Sequence, residues 1–330
     1  MSAAATADQP VSLIETAVAY KLLFGREPRT AEELLSLASP EATVAQVRNA
    51  LFASPEFAYA AQHYAPNHKP LDGERADVQV RVTPELLERM MRRTEEVFRR
   101  LGETEPHWAV LTNEKFRSDR IDKNKEEFFA TGEYNVRILR AFADRAGVDL
   151  KRFETCFELG CGVGRITTWL AEMFPAVIAG DISPPLLDVA RRSLDDFGRN
   201  NVQLVLLNTF AKLDALPRYD VFFTAITLQH NPPPIIYVLL SRLLEKLNPG
   251  GVALFQLSTY AAGYRFNAEE YLNTPPVGPG IEMHMLPQPV IFELLEQHDC
   301  RTLEVREDGS CGPKLDILSN IYFVQKGKRK

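Results

Sequence analysis

The sequence predicts an α/β fold built on a mostly parallel sheet, with a small all-helical region ahead of it. Three observations carry this expectation. After residue 150, short apolar runs alternate with helical stretches, the sign of βαβ units. Before it, apolar residues recur mainly at helical spacing. A glycine-rich run, Glu158-Leu-Gly160-Cys161-Gly162-Val163-Gly164-Arg165, falls where the first strand of the second part turns into a helix. The chain of 330 residues also exceeds the length at which one core stops growing, roughly 250–300 residues, so two unequal folding units are expected.

Taken in order, Val11–Phe24 reads as a helix with Gly25 just past its end. Thr30-x-x-Glu33 has the form of a capping box opening a second helix through Leu37. A third begins near Thr43 and breaks at Ser54-Pro55, because proline disfavours a helical residue before it. Residues 64–73 read as a linker. Pro84–Leu101 alternates charge signs along a helical pattern and reads as an exposed helix laced with ion pairs. Strands are expected at Thr155–Leu159, Val177–Ala179, Val202–Leu207, Val221–Thr224, Val252–Leu257, Leu303–Val305 and Ile321–Val324. Helices are expected at Arg165–Met173, Pro184–Phe197, Ile235–Leu247 and Val290–Gln297.

Composition excludes several classes. The chain is 45% apolar and 25% charged, ordinary for a folded domain. Its 38 basic against 44 acidic residues leave a net charge of −6, so neither a nucleic-acid partner nor a membrane surface is expected. The basic run Lys326, Lys328, Arg329, Lys330 reads as a solvated end. Four cysteines (Cys156, Cys161, Cys300, Cys311) make no metal-binding spacing with the six histidines, and no metal is expected. The first twenty residues lack a secretory pattern, and no run of about 18 apolar residues occurs, so a cytoplasmic protein with reduced thiols is expected.

Glycines after a strand let the backbone approach a ligand closely, with the N–H groups of the helix start pointing at it. Asp181 ends the next strand, where a carboxylate can accept hydrogen bonds from both hydroxyls of a ribose. Two readings compete. A dinucleotide fingerprint needs a third small residue where this chain has Arg165. Glu158 beside a pyrophosphate would add repulsion, whereas it suits a ligand carrying an ammonium group.

At these residues the sequence resembles the class I S-adenosylmethionine-dependent methyltransferases. ELGCGVGR is similar to that family's first motif and DIS (181–183) to its acidic second-strand end. YDVFFTAITLQHNPP (219–233) is similar to its fourth strand and following loop, and LNPGGVALFQLS (247–258) to its fifth-strand motif. The resemblance spans about residues 126–330 and implies a Rossmann-like, mostly parallel seven-stranded sheet flanked by helices. It divides the chain into a helical accessory domain (1–68), a helical linker or lid (69–125) and the cofactor-binding domain (126–330).

The resemblance also implies S-adenosylmethionine as cofactor. Glu158, Cys161 and the backbone of Gly160, Gly162 and Gly164 would hold its methionine part, Asp181 the ribose, and Ile182 the adenine face. Asn208 and Thr209 would meet the adenine edge, with the register at Asn208 open by one residue. Leu228, Gln229 and His230 would lie where the methyl group meets its acceptor. Tyr134 is the candidate for touching the ligand from a preceding helix, while Phe128 and Phe129 serve equally well as core. Trp108 and Phe116 are candidates for the substrate side.

Methyl transfer to a hydroxyl gains from a base. His230, after the fourth strand, and His284, in the long connection after the fifth, are the candidates, each weighed against a structural role. His63, His68, His107 and His298 have no motif context. Residues 20–28 and Ser54-Pro55-Glu56-Phe57 resemble a small helical domain found beside bacterial glycan-modifying enzymes. The expected function is therefore O-methylation of a sugar or other small-molecule hydroxyl, with the N-terminal helices as an accessory or docking module for a protein partner. A non-catalytic cofactor-binding scaffold and a protein methyltransferase are the alternatives.

Overall fold

The computed structural model describes residues 9–24, 26–28, 30–37, 41–57, 75–275, 281–310 and 317–328. The expected linker at 64–73, Gly25, His63, His68, Cys311 and the last two residues of the basic run lie outside the described residues. The chain divides into two compact units, and the described residues 75–125 fall in the same unit as the sheet.

The first unit carries helices α1 (Leu13–Phe24), α2 (Ala31–Leu37) and α3 (Val44–Ala53). Tyr20, Ala42, Val47 and Leu51 form its core. The Tyr20 hydroxyl lies 2.6 Å from carboxylate oxygens of both Glu33 and Glu56. Arg26 donates to the same two carboxylates at 2.8 and 2.5 Å. At α2, Thr30 Oγ1 accepts from the Glu33 N–H at 3.1 Å, as a capping residue does, and the Glu33 carboxylate also accepts from Arg26. A reciprocal capping box of Thr43 and Gln46 opens α3. Ser54 then ends α3 in an extended conformation, as the following proline requires.

The second unit is a seven-stranded sheet in the order β3-β2-β1-β4-β5-β7-β6. Its strands are β1 (Thr155–Leu159), β2 (Ala176–Asp181), β3 (Val202–Leu206), β4 (Tyr219–Thr224), β5 (Leu247–Ala261), β6 (Cys300–Asp308) and β7 (Ile317–Lys326). The first five are parallel, and β7 runs antiparallel between β5 and β6. All seven strands match the expected ones. The fifth is longer than expected because its antiparallel ladder with β7 extends through Tyr260 and Ala261. A short parallel pair, Asp77–Val78 with Arg265–Phe266, stands apart.

Alternation along the strands sorts two cores. Phe157, Phe222, Phe255 and Tyr322 face helices α4 (Pro84–Thr104), α8 (Pro233–Lys246) and α9 (Gln288–Gln297). Cys156, Val221, Leu254 and Phe323 face α5 (Ile121–Arg145), α6 (Thr167–Met173) and, through Leu187, α7 (Pro184–Asp196). The order reverses at the β1/β4 border, the position where open α/β sheets leave a crevice at their carboxyl ends.

Helix α4 departs from its exposed reading. It does carry surface ion pairs, such as Arg99 with Glu103 at 2.8 Å. Yet Met90, Met91, Thr94, Val97 and Leu101 form a buried stripe at helical spacing. Phe128 and Phe129 are likewise buried, in a cluster with Phe116, Val163 and Leu186. Among the described residues no helix is long and apolar enough to cross a membrane.

Helix α5 passes close to the chain after the glycine run. A Cβ at Gly132 would lie 2.1 Å from the Arg165 carbonyl oxygen, a backbone atom that cannot swing aside. Gly132→Ala is therefore expected to destabilise the protein by about 1–3 kcal/mol, the usual cost of overpacking. Chemical denaturation measures this, and an unchanged midpoint would show that α5 can move away freely.

Candidate functional site

The site forms at the sheet reversal. After β1 the chain turns through Gly160 (φ 74°) and Gly162 (φ 55°), in the left-handed region that favours glycine. Side chains are excluded there by space as well. A Cβ at Gly160 would lie 2.3 Å from Thr227, and one at Gly162 2.4 Å from Val110. The loop is gripped from below: the Gly160 and Cys161 N–H groups donate to the Gly180 carbonyl at 2.7 and 3.1 Å.

Asp181 is buried at the end of β2. One of its oxygens accepts from the Gly162 N–H at 2.8 Å and the other from the Ser183 N–H at 2.9 Å. Burial raises its pKa, and these backbone donors oppose the rise. Each oxygen keeps acceptor capacity for a ligand. Glu158 is 2% exposed and accepts from the Thr167 hydroxyl at 2.6 Å. Burial pushes it up to about 7, against the Thr167 hydrogen bond and the positive charge of Arg165. A carboxylate in that state gains most from an incoming cation.

Glu158, Gly160, Cys161, Gly162, Asp181 and Ile182 all line one concave, largely apolar cavity with a few polar groups converging on it, the form small-molecule sites take. Met91, Thr94 and Phe98 of α4 form its far wall, with Ala109 and Val110. Ser183 fastens that wall, its hydroxyl donating to the Phe98 carbonyl at 2.9 Å. Cys161 is buried, and burial holds its thiol well above the ordinary range, so it lines the cavity as an inert neutral group.

His230 lines the same cavity. Its Nδ1 lies 3.0 Å from the Glu282 carbonyl, which can only accept, so Nδ1 carries the proton. Nε2 then holds a lone pair, and it has no hydrogen-bond partner among the described residues. Burial lowers the pKa of this histidine, partly offset by the carbonyl.

Other candidates lie elsewhere. His284 lies outside the cavity with both nitrogens occupied, by the Tyr264 hydroxyl at 2.8 Å and the Glu282 carboxylate at 3.3 Å. It is surrounded by the rings of Phe266 and Tyr271 and has no nitrogen free for a substrate proton. Asn208 donates to Glu95 at 2.7 Å, and Thr209 caps a short helix at 210–214. Leu207 takes the place on the cavity wall, one residue earlier. Leu228 and Gly164 are buried behind the lining. Tyr134 is 59% exposed and borders a second cavity. Phe116 is core, Trp108 stacks under Arg117, and His298 pairs with Ser241.

Two features escaped sequence reasoning. Ile226 holds φ 56°, rare for a β-branched residue, and its N–H donates to Gln256 Oε1 at 2.8 Å. No sequence signal marks it. The α4 wall could have been found, since Leu87, Met91, Thr94 and Phe98 share a helical stripe.

The residues present fit S-adenosylmethionine. A buried carboxylate poised near neutrality suits its ammonium group, a second suits its ribose, and Ile182 with Leu207 offers apolar surface for its base. Among the described residues no cluster of histidine, cysteine or acidic side chains could hold a metal ion.

The chain is similar in sequence and fold to known proteins. Residues 157–251 match the family model described as Methyltransferase domain. The chain is 30% identical over 103 residues to a carboxy-S-adenosyl-L-methionine synthase of Trichlorobacter lovleyi, covering 30% of this chain and 42% of that one. It is 23% identical over 121 residues to a malonyl-[acyl-carrier protein] O-methyltransferase of Acetivibrio thermocellus, covering 36% of this chain and 41% of that one. The chain thus spans less than half the length of these relatives. Among solved structures, the magnesium protoporphyrin IX methyltransferase of Synechocystis PCC 6803 with bound SAH is similar at 16% identity and a TM-score of 0.48, over 71% of this chain and 100% of that one. The matched segment lies across the glycine loop, Asp181 and the β4 loop, and it resembles a methyltransferase domain.

Proposed function

We propose that this protein is an S-adenosylmethionine-dependent O-methyltransferase acting on a hydroxyl of a sugar or other small molecule. The observation that carries the reading is the convergence of Glu158, the glycine loop, Asp181 and His230 on one cavity. Bound S-adenosylmethionine would supply a methyl group activated for displacement by its sulfonium charge. The chain's own residues do the rest. Glu158 takes the ammonium group, Asp181 accepts from the ribose hydroxyls, and Ile182 and Leu207 flank the base. Met91 and Phe98 exclude water, and fixing acceptor against donor can be worth roughly 7–11 kcal/mol.

His230 is the base. Its Nε2 lone pair accepts the acceptor's hydroxyl proton, and the Glu282 carbonyl steadies the charge that then forms on the ring. His284 is a positioning residue. It binds the Glu282 side chain, which burial alone would raise but which His284, Tyr271 and Arg93 together hold down at about 2. The oxygen acceptor is in keeping with the name of one relative, an O-methyltransferase. In the N-terminal unit, Ile14, Val18 and Leu22 form an exposed apolar row on α1 and support a partner-docking role. The unpaired cysteines 156, 161 and 300 agree with action in the cytoplasm.

Calorimetry with S-adenosylmethionine and SAH is the first test. Binding to the wild type, weakened at least about tenfold in Asp181→Asn, is expected from the loss of a charged acceptor. Absence of any binding would sink the proposal. A second expectation concerns protons. Cation binding lowers a Glu158 pKa that starts at about 7, so binding near neutral pH releases a proton fraction and affinity rises with pH through 7. Titrations in buffers of different ionisation enthalpy read that fraction, and its persistence in Glu158→Gln would assign it elsewhere. Third, His230→Ala should lower kcat about 10²–10⁴-fold with little change in cofactor affinity. Because the His230 pKa is lowered, its basic form persists below the ordinary imidazole value of about 6.5. With cofactor saturating at every pH, the wild-type rate should stay level from pH 8 through about 6.5 and fall only in more acidic buffer, and a fall beginning above that value would contradict the assignment.

A further inference from the structure

Arg165 follows the glycine loop and is buried, with 4% of its surface exposed. It has no carboxylate within ion-pairing distance among the described residues. Nη1 donates to Thr131 Oγ1 and Asn135 Oδ1, both at 3.1 Å. Nε–H is buried with no acceptor, and Nη2 makes no hydrogen bond among the described residues. These two groups form one edge of the guanidinium, and their parallel N–H bonds match the two oxygens of a carboxylate. A buried cation whose fork is empty costs stability unless something completes it. Burial accordingly depresses its pKa to about 10, and Glu158 only partly offsets this from a distance.

The free edge belongs to a specific place. Arg165 lines the cofactor cavity and also a second cavity of about 360 Å³, between α5 and strands β4, β5 and β7. The two cavities share Arg165, Ala225 and the strained Ile226. Tyr134, Gln256 and Ser310 add polar groups to the second, and Phe223 and Leu254 an apolar floor. Asp308 is its other charged lining residue, already engaged by the Ser310 N–H at 2.7 Å and the Ser319 hydroxyl at 2.9 Å. The cofactor-directed acids, Glu158 and Asp181, line only the first cavity.

We propose that the second cavity is the acceptor site, and that it takes a small molecule bearing a carboxylate held on the Nε/Nη2 edge of Arg165. This rests on the methyltransferase reading and narrows it. The acceptor's anionic end seats on Arg165, and its nucleophilic oxygen passes the Ala225–Ile226 junction toward the first cavity. Arg165 acts as a specificity-determining anchor and takes no part in proton transfer.

The test uses the whole 330-residue chain saturated with SAH and paired probes: benzoate with benzamide, phenylacetate with phenylacetamide, and succinate with succinamide. Ligand-observed NMR should detect at least one carboxylate bound over its amide, lost by about tenfold or more in Arg165→Met and only partly restored in Arg165→Lys. Thermal unfolding without ligand should show Arg165→Met as stable as the wild type or more so, because an uncompensated buried charge has gone. If that variant fails to fold, Arg165→Lys alone carries the comparison. No preference for any carboxylate, or a preference unchanged in the variants, overturns the proposal. So does a loss of SAH affinity in Arg165→Met that 5′-methylthioadenosine does not share, which would give the fork to the cofactor's own carboxylate. Failure of the methyltransferase reading is distinct, since the wild type would then bind neither SAH nor 5′-methylthioadenosine.

Discussion

The grip of Asp181 on two backbone N–H groups is the contact on which the site depends. Its oxygens hold Gly162 and Ser183 at 2.8 and 2.9 Å, tying the glycine loop to the start of α7. A buried carboxylate is costly, and donors to its charged form are what make the burial tolerable. With the loop held there, Gly160 is pressed against Thr227 and Gly162 against Val110. Ser183 carries the constraint further, through Phe98, to the α4 wall. One side chain thus coordinates the loop, the strand end, a helix start and the cover of the cavity.

A second network sets the chemistry. His230 takes its tautomer from a carbonyl 52 residues away in sequence, and that carbonyl belongs to Glu282. Glu282 is itself secured by Arg93 of α4 at 2.8 Å and by His284. Buried polar groups that satisfy one another rigidify a site, and here three distant segments do so. The result is a histidine whose single unbound nitrogen is its basic one. Both histidines matter to the arrangement, but only one has chemistry left over.

Arg165 is the exception to this economy of satisfied groups. Glu158 and Asp181 each have donors matched to them, whereas the arginine keeps its fork empty among the described residues, at the seam of two cavities. Ile226, at the same seam, is held in an unfavourable conformation by Gln256. Strain and unmet hydrogen bonding coincide where the two cavities join, and the acceptor-site proposal rests on that coincidence.

Much of this molecule is written in local patterns. Alternating βαβ texture determined the seven strands, and the strand–loop–helix placement of Glu158, Gly160, Gly162 and Asp181 determined which residues meet at the sheet reversal. Those features depend on neighbours a few residues apart, so sequence alone carries them. Orientation and pairing are different. Leu207 rather than Asn208 faces the cavity because the chain leaves β3 one residue earlier than the motif implied, while Asn208 finds Glu95. His284 and His230 look alike as isolated histidines after parallel strands, and only packing gave one two partners and the other a free nitrogen. Arg165 sits in the most legible motif of the chain, yet its empty fork follows from there being no acid within ion-pairing distance among the described residues. Such facts come from contacts between segments tens to hundreds of residues apart, and the tertiary structure alone decides them.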